Sequence, residues 1–414
     1  MSIYAVDFGT SNSLLTYVSS TGEIRPVKLD PAGGHVLRSL LFTPQKNAWF
    51  FGSEAIKEYV NHEGEGRFLR SIKKFLPEPG YTGTAIHNQN VNISEMIAVF
   101  LTEMRRRANL STGEQVERIV LGRPALYSLD KDHDQLAQDR MQKAAEIAGF
   151  KEIHFCPEPV AAGLDYQNAS LENKIVLIAD FGGGTSDFTL MRGPEILGLS
   201  GVFLAGDALD GDMMKDFIAP HFGSQFEYQL PGGQNVLKFP RGLLKKICSP
   251  AHITHLREKD TWEFLQHIGK FALSEHDEKY IQQLYALVEG QLGFPLFNEI
   301  EKTKIKLGKS PDATFVYQAL GIDIEQPIDD QDYRISVRPT VDEIISTMLK
   351  VFEQSGVMPT DVTEVILTGG TSQFPLLRER LTAVFGAEKL REHNIYESVV
   401  NGLAHFAKGL LTQK

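Results

Sequence analysis

Apolar positions along this chain gather in short runs that break on acidic, glycine and hydroxyl residues. Ile3-Tyr4-Ala5-Val6 is the first. It breaks at Asp7, passes through Gly9, Thr10, Ser11 and Asn12, and resumes at Leu14, Leu15, Tyr17 and Val18. Val176-Leu-Ile-Ala179 does the same: it breaks at Asp180, passes through Gly182, Gly183, Gly184 and Thr185, and resumes at Phe188, Leu190 and Met191. Short apolar runs bounded by turn residues predict strands, and two runs joined by such a turn predict a β-hairpin. Asp7-Phe-Gly-Thr-Ser-Asn12 and Asp180-Phe-Gly-Gly-Gly-Thr-Ser-Asp187 are thus an internal echo, about 170 positions apart, the size of one domain. Two similar lobes, each offering one hairpin to a shared cleft, fit that spacing.

Between and after the hairpins, strand and helix patterns alternate. Arg118 to Gly122 reads as a strand ending at Pro124. Asp132 to Ala148 has a helical period, with Asp132 and Gln135 placed for a capping box and Gly149 for the C-terminal stop. Ile153-His-Phe155 reads as another strand, and Glu158-Pro159 opens a small-residue helix through Ala161, Ala162 and Gly163. The second half repeats the order: strand Glu364 to Thr368, turn Gly369-Gly370-Thr371, helix Leu376 to Phe385. A last helix, Tyr396 to Leu411, gathers Val399, Val400, Leu403, Phe406, Ala407 and Leu410 on one face. Arg105-Arg106-Arg107 reads as a basic helix end that favours the dipole. Residues 212–335 are helix-rich, clearest at Tyr280 to Val288 and Pro295 to Leu307, with a bend at Leu230-Pro-Gly-Gly-Gln234. The expected division is lobe I over 1–171 plus 391–414, with an insertion at 39–109. Lobe II is expected over 172–390, with a helical insertion at about 212–335.

Length supports this division, because 414 residues exceed what one compact core spans. The net charge of -11 disfavours a nucleic acid or membrane-surface partner while leaving room for a local nucleotide pocket. Cys156 and Cys248 form no paired pattern, which fits ordinary thiols in a reducing compartment. The run Ile3 to Val6 meets Asp7 at once, and no apolar stretch approaches the roughly 20 residues of a membrane span. A cytoplasmic protein is expected.

The turns carry the candidate chemistry. Glycine lets backbone amides approach phosphate closely, and neighbouring hydroxyls add donors. An aspartate at the strand end before such a turn can hold magnesium, mostly through its water shell. Asp7 and Asp180 occupy that place, and Asp187 is a third acid nearby. One loop alone is a weak signal. Three glycine and hydroxyl turns, each directly after an apolar strand, point to a nucleotide. A P-loop ending in Lys-Ser/Thr and a Gly-x-Gly-x-x-Gly stretch are absent, and the Asp-Phe-Gly triplets lack a His-Arg-Asp partner loop. His252 and His255 have a spacing compatible with a metal, but no acid or cysteine set surrounds them, so a surface role is the reading.

These motifs resemble the actin-like ATPase superfamily, and within it the nucleotide-binding domain of the DnaK-type heat shock protein 70 family, over nearly the whole chain. That resemblance implies an α/β actin-like ATPase fold, with two ribonuclease-H-like lobes and inserted subdomains around a nucleotide cleft. Phe68 to Leu76 is similar to the segment bearing the family's catalytic lysine, here Lys73. Pro124-Ala-Leu-Tyr127 with Glu158-Pro159 resembles the element that reports the nucleotide state; by residue type alone, Glu158-Pro159 reads equally as a helix start. The resemblance implies catalytic roles for Lys73, Asp7, Asp180, Asp187 and Glu158. It implies ATP or ADP bound by Gly9, Thr10, Ser11, Asn12, Gly182, Gly183, Gly184, Thr185, Gly206 and Asp207. Glu301 and Lys304 match the helix holding ribose and adenine, although the i, i+3 spacing also suits a surface pair. Gly369, Gly370, Thr371 and Gln373 match the adenosine loop, with Gln373 standing where the family has an arginine that stacks on the base. The family's acid near the last helix falls at Tyr396, and the stretch after Gly206-Asp207 is slightly shorter than the pattern. By length the chain looks closest to the short, YegD-like branch, in which the linker and peptide-binding domain are expected to be missing.

The function implied is a magnesium-dependent, chaperone-like ATPase, monomeric, whose nucleotide-driven lobe closure regulates a protein partner or co-chaperone. The alternatives are a small-molecule kinase on the same fold, a nucleotide-binding sensor or adaptor with little turnover, and an actin-like filament protein. The large helical insertion disfavours the last.

Overall fold

The structure, a computed structural model, describes residues 1–31, 34–62, 64–128, 130–167, 174–193, 195–274, 277–392 and 397–412. Two compact units form: Met1–Ala205 with Glu343–Lys414, and Gly206–Asp342.

The first unit is built on two large sheets and carries two smaller ones within residues 40–92. In the first sheet, β1 (Ile3–Phe8), β2 (Asn12–Val18), β3 (Ile24–Pro26), β4 (Arg118–Arg123) and β5 (Glu152–Pro157) lie in the order β5-β4-β1-β2-β3, with Leu37–Arg38 also paired to β2. In the second, β6 (Ile175–Phe181), β7 (Ser186–Arg192), β8 (Glu195–Val202), β9 (Glu364–Thr368) and β10 (Leu390–Glu392) lie in the order β8-β7-β6-β9-β10. The pairing repeats as well. β1 is antiparallel to β2 and parallel to β4; β6 is antiparallel to β7 and parallel to β9. The echo in sequence is therefore an echo in topology: Asp7 faces Leu14 across its hairpin, and Asp180 faces Asp187.

Helices complete each half. α1 (Ile93–Thr112) precedes β4, α2 (Lys131–Ile147) links β4 to β5, and α3 (Glu158–Gln167) follows β5. α4 (Pro375–Phe385) links β9 to β10, and α5 (Ser398–Thr412) follows β10. α3 and α5 meet in one core with Ile3, Ala5 and Val120 from the first sheet and Val176, Ile178 and Ile366 from the second. The small residues at Ala161, Ala162 and Gly163 allow this packing: a Cβ on Gly163 would lie 2.7 Å from Met191 Sδ. Where α5 crosses α3, a Cβ on Gly402 would lie 1.6 Å from the Ala161 carbonyl oxygen, so only glycine permits that contact.

Two helix-end readings need correction. α2 starts one residue earlier than the pattern suggests, and its N-cap is Asp130, whose carboxylate accepts the Asp132 and His133 amides. The expected Asp132–Gln135 box does not form; Gln135 instead donates to Asp139. Arg105, Arg106 and Arg107 do not end a helix, because α1 continues to Thr112 from an Asn92–Glu95 capping box. Arg106 and Arg107 bond Glu103, and Arg105 donates to the Val116 and Ala148 carbonyls.

The second unit contains the helices Asp277–Glu289 and Gly293–Leu307, close to the expected spans, and a hairpin, Asp312–Ala319 with Ile322–Asp329, that the sequence reading did not name. Its Ala313, Phe315 and Tyr317 are buried while their neighbours face out, the period of a half-covered strand. Among the described residues His252 bonds Ser249, His255 lies near Glu258, and no cluster of ligating side chains could hold a metal.

Candidate functional site

Both hairpin turns close in the same way. The Gly9 amide donates to the Asn12 carbonyl at 3.0 Å, and the Gly182 amide donates to the Thr185 carbonyl at 2.9 Å. Ser39 Oγ donates to the Gly9 carbonyl at 2.7 Å and shares a bond with Ser13 Oγ, anchoring the first turn. The two turns touch: a Cβ on Gly184 would lie 3.0 Å from Thr10 Cγ2 and 2.7 Å from Lys74 Cε. The third turn joins the second. Gly369 is in the left-handed region at φ 78°, Thr371 Oγ1 donates to the Gly182 carbonyl at 2.7 Å, and Thr368 Oγ1 donates to Asp180 Oδ1 at 2.8 Å. Gln373 stands exposed at the end of the short turn Gly370–Gln373.

Lys73 lies on a single 3-10 turn, Ile72–Phe75, that follows Ser71 in a left-handed conformation. Arg140 of α2 holds the chain beyond it by donating to the carbonyls of Phe75, Leu76, Glu78 and Tyr81. Glu158 is the first residue of α3. These elements bring Lys73 Nζ to 2.6 Å from Glu158 Oε1, with both side chains buried.

Lys73 thus bonds Glu158, and its charge also acts on Asp7, Asp180 and Asp187. Glu158 and Asp187 are buried, while Asp7 and Asp180 keep partial exposure. Burial pushes Asp7 up to about 8, helped by the Glu158 charge and opposed by Lys73. Burial, then Glu158 and Asp180, raise Asp187 to about 8, and burial with Glu158 raises Asp180 to about 6 against its Thr368 bond. Burial alone would lower Lys73, but Glu158, Tyr127 and Asp7 reverse that and hold it above its usual range. The cluster carries more negative charge than one lysine balances, and Asp187 Oδ2 is buried without a bonded partner among the described residues. Hard oxygen donors in negative excess suit a magnesium ion. Because no group of three or more ligating side chains stands together among the described residues, waters would complete the shell of such an ion.

Sequence reasoning did not single out three residues near these turns, Tyr127 appearing there only within the segment Pro124–Tyr127. Tyr127, Thr368 and Ser39 act across long sequence separations, although Thr368 could be read from its place just before the third turn. In the second unit, taken by itself, sequence reasoning did not single out Asp210. There Lys304 Nζ lies 2.7 Å from Asp210 Oδ1 and donates to the Gly206 carbonyl. Burial raises Asp210 to about 6, Lys304 opposes that, and Asp207 and Glu301 add to it, so these residues share one neighbourhood. Tyr396 lies outside the described residues.

The profile of the family described as Hsp70 protein matches residues 75–227 and 264–413, most of the chain. The chain belongs to the Hsp70 family. Its mixed α/β architecture is the actin-like fold of the Hsp70 ATPase domain. It is similar to the chaperone protein DnaK of Halobacterium salinarum, 23% identical over 402 residues that cover 97% of this chain and 55% of that protein. It is also similar to the chaperone protein HscA homolog of Shewanella baltica, 23% identical over 404 residues, covering 93% of this chain and 54% of that protein. The chain thus spans about half the length of these Hsp70 relatives. Among the described residues no helix is long and apolar enough to cross a membrane.

Proposed function

We propose that the chain binds ATP with magnesium and hydrolyses it to ADP and phosphate, and that the accompanying closure of lobes I and II regulates a protein partner or co-chaperone. The observation that carries this reading is the meeting of the Gly184 and Thr10 turns beside Lys73, Asp7, Asp180, Asp187 and Glu158. The amides of Thr10, Ser11, Gly183 and Gly184 would neutralise phosphate charge, with Gly9, Asn12, Gly182 and Thr185 shaping the turns. Asp7 and Asp180 would hold hydrated magnesium, which supplies positive charge to the phosphoryl oxygens. Lys73 would leave Glu158 for the γ-phosphoryl oxygens, and Asp187 and Glu158 would orient the attacking water. Catalysis of this kind is positioning plus electrostatics. Gly369, Gly370, Thr371 and Gln373 would serve the adenosine. In the second unit Gly206, Asp207, Glu301 and Lys304 are proposed nucleotide contacts, with Lys304 now engaged by Asp210.

A second reading, a nucleotide sensor with little turnover, draws support from the short Lys73–Glu158 pair, which keeps the lysine occupied. Phosphate release from magnesium ATP without an added acceptor tests the choice. Release supports the ATPase. Tight binding without release supports the sensor. Release only with a small-molecule acceptor would replace both with a kinase.

A further inference from the structure

Tyr127 is 1% exposed, and its hydroxyl is buried without a bonded partner among the described residues. Its ring is not loosely placed. The Arg123 guanidinium lies 5.1 Å from the ring centroid, and the Tyr127 amide donates to Asp134 Oδ1 at 2.6 Å. Asp134 is itself gripped by Arg123 through two bonds, of 2.8 and 2.9 Å. A buried hydroxyl with no bond opposes folding, and phenylalanine would fill the same space without that penalty. The hydroxyl therefore calls for a use in another state of the site.

The neighbours indicate which. Arg123, which covers the Tyr127 ring, pairs across the sheet with Pro157, the residue before Glu158. The charges of Lys73 and Glu158 both act on the Tyr127 hydroxyl, and burial pushes it up to about 12, so it keeps its proton and remains a donor. Glu158 has its short bond to Lys73 in a buried setting. If Lys73 turns toward a phosphoryl group, the Glu158 carboxylate loses its partner where water cannot easily replace it.

We propose that Tyr127 is the replacement donor, its hydroxyl bonding the Glu158 carboxylate when Lys73 leaves for the γ-phosphoryl oxygens. Tyr127 is then a positioning residue acting through Glu158. It keeps the carboxylate bonded and oriented while the lysine serves the nucleotide. This rests on the reading that Lys73 serves ATP, yet half of it can be examined without nucleotide, because Lys73→Met empties the same place on Glu158.

The experiment is a stability cycle of Tyr127→Phe and Lys73→Met without nucleotide, followed by steady-state ATP hydrolysis by Tyr127→Phe. In the otherwise wild-type chain, Tyr127→Phe should leave stability unchanged or raise it. In the Lys73→Met chain it should lower the folding equilibrium constant by roughly tenfold to a hundredfold, the range for a bond to a charged group. Tyr127→Phe should lower kcat about tenfold with little change in KM. Equal effects of Tyr127→Phe in the two backgrounds would overturn the proposal. So would a Lys73→Met chain that cannot fold while Lys73→Met with Glu158→Gln folds, since Tyr127 would then have failed to support Glu158. Absence of ATP turnover by the wild-type chain would defeat the ATPase reading and leave the stability cycle to decide the donor exchange.

Discussion

Gly402 and Gly409 lie about two turns apart on α5, and the same substitution should act on them in opposite directions. A Cβ on Gly402 would sit 1.6 Å from the Ala161 carbonyl oxygen and 2.2 Å from its carbon, both backbone atoms that no rotamer change can move. Real carbon–oxygen contacts need roughly twice that separation, so α5 and α3 would have to part by more than about 1 Å. Overpacking of a core typically costs about 1–3 kcal/mol, and a backbone clash belongs at or above the upper end. A Cβ on Gly409 meets nothing within 4 Å, so alanine there should gain about 0.5–1 kcal/mol from helix propensity alone. The chain has two tryptophans, Trp49 in the first unit and Trp262 in the second. Fluorescence in a Trp262→Phe background therefore reports urea unfolding of the first unit through Trp49. Gly402→Ala should lower the midpoint and Gly409→Ala should raise it. Because α3 begins at Glu158, the displaced helix should also weaken nucleotide binding in Gly402→Ala. A Gly402→Ala chain as stable as wild type would refute the close α3–α5 crossing and the fixed place of Glu158 that depends on it.

Two further outcomes follow from the charge cluster. Asp7 and Asp187 are raised to about 8, so the folded chain keeps protons that the unfolded chain releases near pH 4. Their contribution to stability is complete below the unfolded value and is lost as pH rises to about 8. Melting scans without nucleotide should show a transition temperature that falls from about pH 6 to about pH 8, with a smaller slope in Asp187→Asn; an unchanged slope there would refute the assignment. Lys73→Met should slow phosphate release by roughly a hundredfold, the effect of losing about 3 kcal/mol of transition-state stabilisation. Release at the wild-type rate would remove Lys73 from the chemistry.

The repeated hairpins were legible because their signal is local: an apolar run, an aspartate at its end, then glycine and hydroxyl residues. The repeated sheet order follows from that echo together with the strand patterns around Arg118 and Glu364, and the structure extends it to the direction of every neighbouring strand. Long-range contacts were not legible. Nothing in Pro124-Ala-Leu-Tyr127 shows that the charges of Lys73 and Glu158 act on the phenol, because the three residues come from separate segments. Asp210 was hidden for the same reason, its partner Lys304 lying on a helix far along the chain. Helix ends misled where two polar residues competed for one cap: Asp130 reaches the free amides of α2, and Asp132 sits two residues too late. The arginines at 105–107 suggested a terminus because a basic run suits a helix dipole, yet α1 runs on to Thr112 and its last turn holds no basic residue.

Calorimetric titration of magnesium ATP into the wild-type chain and into Gly184→Val addresses the phosphate turns most directly. Gly184 touches Thr10 and Lys74, and a valine there would fill the space where the turns approach each other. The expected result is one nucleotide bound per wild-type chain and no measurable binding by a folded Gly184→Val. Equal affinity in the two chains, or no binding by the folded wild-type chain, would contradict a phosphate site at the paired turns.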